Sequence, residues 1–122
     1  MTKAQAIHAF WSGFGLTAYD EMTVPDDAKM PYITYSVSTD SIDASVSMHA
    51  SLWYRTNSWK DISEKADKIA ETIVTMNPPS IELDKGRLYI AKGNPFAQRM
   101  ADDDRTVKRM YLNIKAEYLT NF

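Results

Sequence analysis

The segment Arg105–Tyr118, RTVKRMYLNIKAEY, decides which fold this chain can adopt. From Met110 onward its even positions are apolar, namely Met110, Leu112, Ile114, Ala116 and Tyr118. The positions between them are mostly polar or charged, and this alternation predicts a strand that buries one face and exposes the other. At 3.3 Å per residue the strand would span about 45 Å, against roughly 35 Å for a compact domain of this length. We therefore predict that its Arg105–Arg109 end bends out of the sheet or contacts another subunit.

The composition of the chain indicates one ordinary globular domain spanning residues 1–122. Of its 122 residues, 44% are hydrophobic and 25% are charged, which is typical of soluble domains. Such a chain buries about two-thirds of its unfolded surface and needs no covalent staple. Cysteine is absent, so disulfides and thiolate metal sites are excluded and a cytoplasmic origin is expected.

Charge and hydropathy argue against two classes of partner. The net charge of −2 gives no general attraction to nucleic acid or to anionic lipid. The sequence contains no apolar run long enough to span a membrane, and its first residues lack the apolar core of a signal peptide. We expect neither specific nucleic-acid binding nor membrane association.

The first half of the chain combines one helix with two strands. Apolar residues at helical spacing predict a helix over Thr2–Phe14, capped by its first residue. A loop or a short strand follows as far as Pro31. Alternating patterns then predict strands over Tyr32–Ser38 and Ser45–Thr56, joined by the polar loop Thr39–Ala44.

The second half adds a helix and a hairpin before the closing strand. The helix is predicted over Ser58–Met76, with a capping box between Ser58 and Asp61, and Pro78–Pro79 would stop it. A hairpin follows over Ile81–Ala91, and residues 92–104 read as a loop because they contain glycine, proline and three consecutive aspartates. The order of elements predicts an α+β fold with a mostly antiparallel sheet of four or five strands and two main helices packed on one face.

Catalytic and metal-binding signatures are weak in this sequence. Asp102–Asp104 lack the spacing of a calcium loop and are expected to form a solvated loop. His8 and His49 are the only histidines, and no third group completes a triad around either one. The four glycines are scattered, so no phosphate-binding loop is present. We predict that the protein is not an enzyme and holds no cofactor or metal.

Interface residues are the better candidates for function. Trp53 falls on the polar face of its strand, where an exposed tryptophan would anchor a partner, whereas Trp59 is expected to cover one end of the sheet. A basic cluster with a nearby tyrosine lies beside the acidic triplet, and the acids weaken any case for nucleic-acid binding. The predicted oligomer or partner interface consists of Trp53, Arg105, Lys108, Arg109 and Tyr111.

Several of these elements together resemble a known family. The strand PYITYSV at Pro31–Val37, the amphipathic helix that contains Asp61–Ile69 and the long closing strand follow one another as they do in the small tail terminator, or tail-completion, proteins of long-tailed bacteriophages. The layout is also similar to that of proteins called minor capsid or head–tail joining components.

The resemblance implies a structural virion protein assembled in the cytoplasm of the bacterial host. Subunits of that family form a ring, typically a hexamer, that caps the tail tube and docks it to the head connector. The resemblance supplies no catalytic residue and no cofactor. Two other functions remain open from the sequence, namely a head-side adaptor on the connector and a small binding or regulatory module outside virions.

Overall fold

A mixed sheet with both helices packed against one face organises the chain. The computed structural model describes residues 1–39, 45–76 and 80–120. Within these ranges the chain forms the elements α1 (Lys3–Ser12), β1 (Thr17–Asp20), β2 (Tyr32–Tyr35), β3 (Val46–Arg55), α2 (Lys60–Thr75), β4 (Ser80–Leu83), β5 (Gly86–Met100) and β6 (Val107–Thr120). The α+β class is confirmed, with six strands instead of four or five. Most of the predicted loop Thr39–Ala44 and the helix stop at Pro78–Pro79 lie outside the described residues.

The strands are ordered β1-β2-β3-β6-β5-β4 across the sheet. β1 and β2 are parallel, and the remaining neighbours are antiparallel. The closing strand β6 is therefore central, with β3 on one side and β5 on the other. This position explains its alternating pattern, since one face of a central strand meets the helices and the other does not.

The start of β6 stays inside the sheet. Val107 pairs with Arg55, and Arg109 pairs with Trp53 on one side and Met100 on the other. The prediction that this end bends out of the sheet is therefore wrong. The long strand is accommodated because β3 and β5 run beside it for most of its length. Contact of Arg105–Arg109 with another subunit stays a prediction.

The predicted loop over residues 92–104 is largely wrong, because β5 continues to Met100. The pairing between β5 and β6 shifts register between Lys92 and Ala97, so the glycine and proline in this segment mark a bulge and do not end the strand. A Cβ atom on Gly93 would lie 2.7 Å from the Cβ of Asn113, so only glycine allows the two strands to approach this closely. The Asn113 amide also donates to the Pro95 carbonyl at 3.0 Å.

The core lies between the sheet and the two helices. Its fully buried large side chains come from both helices and from β2, β3, β5 and β6, and they are Ile7, Trp11, Ile33, Leu52, Ile62, Ile69, Leu88, Leu112 and Ile114. The buried stripe of α2 (Ile62, Ala66, Ile69 and Ile73) matches the predicted apolar spacing. The period-two patterns of β3 and β6 and the 3.6-residue pattern of α2 thus determine which face of the sheet the helices cover.

The helix starts agree only in part with the prediction. At α1, Thr2 and Gln5 form a reciprocal capping box. At α2, the predicted capping box between Ser58 and Asp61 is wrong, because the helix begins later and Trp59 occupies the cap position without a side-chain hydrogen bond. The Ser58 hydroxyl instead accepts from the Lys60 N–H at 3.1 Å.

Candidate interaction surface

The face of the sheet that points away from both helices is the candidate site, and we call it the open face. It receives the side chains that alternate with the core residues along each strand. The pairing places Tyr32 beside Trp53, Trp53 beside Arg109, and Ser51 beside Tyr111 on this face. The open face therefore gathers aromatic and polar side chains from β1, β2, β3, β6 and β5.

An aromatic row crosses the open face near one end of the strands. Its members are Tyr19, Tyr32, Trp53 and Arg109, one from each of four neighbouring strands. The rings of Tyr19 and Tyr32 meet edge to face at 5.7 Å, and those of Tyr32 and Trp53 lie 6.3 Å apart. The Arg109 guanidinium lies 4.7 Å from the centre of the Trp53 ring. Such aromatic pairs and cation–π contacts each contribute about 0.5–1.5 kcal/mol.

Hydrogen bonds fix the orientation of the Trp53–Arg109 stack. The indole Nε1 of Trp53 donates to the Thr34 hydroxyl at 2.9 Å, and the Arg109 Nε donates to the Ser51 hydroxyl at 3.1 Å. Both hydroxyl-bearing residues are buried. The described residues provide no carboxylate partner for Arg109. The stack thus presents a cation that is held in place by the sheet and is available to an acidic or polar partner.

A second row lies one step further along the strands. The His49 Nε2 and the Glu21 carboxylate are 2.8 Å apart, and the His49 ring stacks on Tyr111 with centroids 5.2 Å apart and planes 21° from parallel. The side chains of His49 and Glu21 are each about one-third exposed (34% and 36%), so the pair contributes little to stability. The contact with Glu21 holds the His49 ring in place, and that ring in turn packs against Tyr111.

The structure brings together three of the predicted interface residues. Trp53, Arg109 and Tyr111 share the open face. Lys108 points to the opposite face, where its Nζ lies 5.8 Å from the Trp59 ring centre and donates to the Arg105 carbonyl at 2.6 Å. Arg105 is exposed in the turn before β6.

The two tryptophans differ from each other in what they contact. Trp53 is half-buried instead of exposed, because Tyr32 and Arg109 pack on its two sides. Trp59 packs against the core at the start of α2, as predicted, and the Arg99 guanidinium lies 4.9 Å from its ring centre. The expectation of a freely exposed Trp53 is therefore wrong, because the side chain is half-buried between Tyr32 and Arg109.

Two members of the aromatic row were missed by sequence reasoning. Tyr19 lies on β1, a strand of only four residues, and Tyr32 faces it across the parallel pairing of β1 with β2. The usable signal was the alternation of Thr17, Ala18, Tyr19 and Asp20, in which only Ala18 is buried. Four residues are too few for periodicity to decide, and a parallel pairing leaves no turn signal in the sequence.

The acidic triplet lies in an exposed loop between β5 and β6, as expected. The Asp104 carboxylate accepts from the hydroxyl and the backbone N–H of Thr106 at 2.7 and 2.8 Å, and from Arg55 at 3.2 Å. The bonds from Thr106, with a smaller contribution from Arg55, lower the pKa of Asp104. Across the described ranges, no three acidic or histidine side chains are close enough together to hold a metal ion. The triplet shapes the connection between β5 and β6.

Ser12 and His8 lie close together, so their geometry can be compared with that of a catalytic serine–histidine pair. The Ser12 hydroxyl lies 3.4 Å from the His8 Nε2, and the His8 Nδ1 lies 2.8 Å from the Tyr35 hydroxyl. Burial and then the nearby Asp20 raise the pKa of Tyr35, so a neutral phenol faces His8. A nucleophilic serine needs a short bond to its base and an oriented carboxylate or similar group behind it. The Ser12–His8 contact is too long for such a bond, and the group behind His8 is a neutral tyrosine and not a carboxylate. The hydrogen bond between His8 and Tyr35 instead attaches α1 to β2.

Two surface cavities accompany these features. One of about 440 Å³ lies between the start of α1 and the turn after β4, where it is lined by Met1, Lys3, Leu83 and Asp84. The other, of about 330 Å³, lies beside Tyr89, Ile90 and Ala116. The second cavity lies on the open face, where Ala91, Lys115 and Glu117 line it, and neither cavity is lined by a histidine or by a member of the aromatic row.

Comparison of the chain with protein-family models and with curated proteins found no match. In the part of the chain that the structure describes, every helix is too short or too polar to cross a membrane. Function is therefore inferred from the open face and from the edges of the sheet.

Proposed function

We propose that this protein is a structural subunit of a long-tailed bacteriophage, a tail terminator that forms a ring on the end of the tail tube and docks it to the head connector. The observation that carries the proposal is the open face, where the Trp53–Arg109 stack lies uncovered by either helix. The order of elements, which resembles that of the tail terminator family, supports the same conclusion. In this function the protein binds its partners through a rigid surface and catalyses no reaction.

The chemistry of the open face suits a protein partner. Tryptophan, tyrosine and arginine are the residues that most often dominate binding energy at the centre of protein interfaces. In the aromatic row they are already held by ring contacts and by bonds to Thr34 and Ser51. Side chains that are fixed before binding lose less conformational freedom when a partner arrives.

The mechanism of termination is geometric. A subunit contact that is heterologous and closes on itself produces a ring. One side of that ring matches the end of the tail tube, and the other presents a different surface, so no further tube subunit can add. The same second surface then receives the head connector.

Binding to purified components tests this proposal. Tail tubes assembled from the tube protein of the same phage genome are mixed with the wild-type chain, and bound protein is measured by co-sedimentation and by electron microscopy of tube ends. We expect wild-type protein to occupy one end of each tube. We expect Arg109→Ala and Trp53→Phe to reduce occupancy about tenfold, since losing one central anchor costs more than about 1 kcal/mol.

Val74→Ala is the matched control, because Val74 lies on the outer side of α2 with 67% of its surface exposed. It should bind tubes as the wild type does. Failure of the wild-type protein to bind tube ends would refute the proposal. Binding to purified head connector in place of the tube would assign the protein to the head side of the neck.

A further inference from the structure

Two unpaired strand edges lie on opposite sides of the sheet, one along β1 and the other along the later part of β5, and no described residue pairs with either. At one side, β1 pairs only with β2 and its other edge is free. At the other side, β4 pairs with β5 only between Gly86 and Tyr89. The later part of β5, including the exposed segment Ala97–Met100, pairs with β6 alone. Each edge presents unpaired backbone N–H and C=O groups, which readily add another strand.

The two free edges lie level with each other along the strand axis. Successive pairings connect Thr17 through Tyr32, Trp53 and Arg109 to Met100. The same pairings connect the last residue of β1, Asp20, to Ala97. The four residues of β1 therefore match the four residues Ala97–Met100 in height and length.

Their directions are also compatible. β1 is parallel to β2, and three antiparallel pairings separate β2 from β5. An odd number of reversals makes β1 antiparallel to β5. If a second copy continues the sheet with the same face outward, its β1 meets the first copy's β5 in the antiparallel arrangement, which is the slightly more stable of the two ladders.

The charges of the two edges are complementary. β1 and the turn after it contain four carboxylates and one lysine between Thr17 and Lys29, the acids being Asp20, Glu21, Asp26 and Asp27. Residues 91–100 of β5 contain Lys92 and Arg99 and no carboxylate, and the acidic triplet Asp102–Asp104 follows beyond Met100, at the end that would lie opposite Thr17 and away from Asp20. Opposite charges on paired surfaces favour this orientation over a contact between two like edges.

We propose that Thr17–Asp20 of one copy adds as an antiparallel strand to Ala97–Met100 of a second copy, so that successive sheets join into one continuous sheet. With no stagger, Thr17 lies opposite Met100 and Asp20 lies opposite Ala97, one diagonal step from Arg99. The contact is heterologous, so repetition builds a ring when the rotation closes. The assignment of a ring to the tail rests on the proposed function, whereas the strand pairing is a separate claim about this chain.

Paired cysteines test this contact directly, because the natural chain contains none. The double variant Thr17→Cys with Met100→Cys places two thiols opposite each other in the proposed pairing, and both natural side chains are exposed. Within one copy these positions are four strand spacings apart, about 19 Å, whereas a disulfide needs Cα atoms within about 7 Å. A bond between them can therefore form only between copies.

The matched control is Thr17→Cys with Ala91→Cys. Ala91 is also exposed and lies on the same free edge of β5, about 20 Å further along the strand. Both double variants are oxidised with and without tail tubes, and the products are separated by non-reducing electrophoresis and identified by mass. We expect the 17/100 variant to lose its monomer band to a series of linked copies, while the 17/91 variant stays monomeric.

Each outcome decides a different claim. If 17/100 links no better than 17/91 while the protein occupies tube ends, the edge pairing is wrong and the proposed function stands. Linkage of copies without any occupancy of tube ends supports the pairing and counts against the tail assignment. If the introduced cysteines link to a cysteine-bearing tube protein and not to a second copy, a second copy is the wrong partner for the edge. If the protein neither links to a second copy nor binds tube ends, both the edge pairing and the proposed function are wrong.

Discussion

Asp104 is the residue that holds the turn before β6, through bonds from Thr106 and Arg55. Its lowered pKa means that the carboxylate stabilises the fold above the unfolded-state pKa, and that this contribution is lost as the pH falls through the lowered pKa. We expect Asp104→Ala to lower the melting temperature at neutral pH, and the difference from wild type to narrow in acid. Melting curves across that pH range measure it.

Asp103→Ala provides the control for this turn. Asp103 is exposed, and no hydrogen bond or ion pair joins it to the rest of the described chain. Its removal should leave the melting temperature unchanged at every pH. Equal effects of the two substitutions would show that the bonds to Asp104 contribute nothing specific.

Tyr118 provides a second pH-dependent contact, at the other end of β6. Its hydroxyl donates to the Ser38 carbonyl at 2.8 Å, and burial raises its pKa to about 12. A raised pKa favours the protonated form in the fold, so this stabilisation is complete below the usual value of 10.0 and is lost as the pH rises toward 12. We expect Tyr118→Phe to remove the phenolate absorbance step near that pH. Persistence of the step would assign it to another tyrosine.

At the level of single elements, the bulge in β5 depends on Gly93. A side chain there would collide with the Asn113 Cβ at 2.7 Å, and both backbones belong to paired strands that cannot move apart easily. We expect Gly93→Ala to lower the free energy of unfolding by about 1–3 kcal/mol. Urea denaturation measures this, with the exposed neighbour Asn94→Ala as the control that should stay near wild type.

The central strand β6 should account for much of the stability. Leu112 is fully buried on its helix-facing side, whereas Leu119 near its end is 51% exposed. We expect Leu112→Ala to cost about 2–5 kcal/mol in urea denaturation and Leu119→Ala to cost under about 1 kcal/mol. Similar losses at the two sites would mean that β6 does not occupy the centre of the sheet.

The same elements show how far sequence reasoning reached. β3 and β6 were predictable because their alternation is long and unbroken, and α2 because its buried stripe keeps helical spacing. The full length of β5 could not be predicted, because its bulge interrupts the alternation with the glycine and proline that usually end strands. The alternation placed Trp53, Arg109 and Tyr111 on the polar faces of their own strands, and the pairing of β3 with β6 brings them onto one face of the sheet. The contacts to Tyr32 and Tyr19 depend on a pairing that no local pattern records.

At the scale of the whole molecule, the proposed contact between copies joins edges of opposite charge. We expect Arg99→Glu to weaken assembly by placing a carboxylate beside Asp20, and the double variant Asp20→Arg with Arg99→Glu to restore part of it. Lys85→Glu changes the net charge equally at the exposed turn before β5 and should have no effect. Light scattering at several salt concentrations measures assembly, which should weaken as salt screens the charges.

The growth of tail tubes tests the central claim most directly. Tube protein is allowed to polymerise, the wild-type chain is added during growth, and tube lengths are measured by electron microscopy over time. We expect elongation to stop on addition, with a ring of this protein visible at one end of each tube. Tubes that continue to lengthen at the same rate, with bare ends, would contradict the assignment of this protein as a tail terminator.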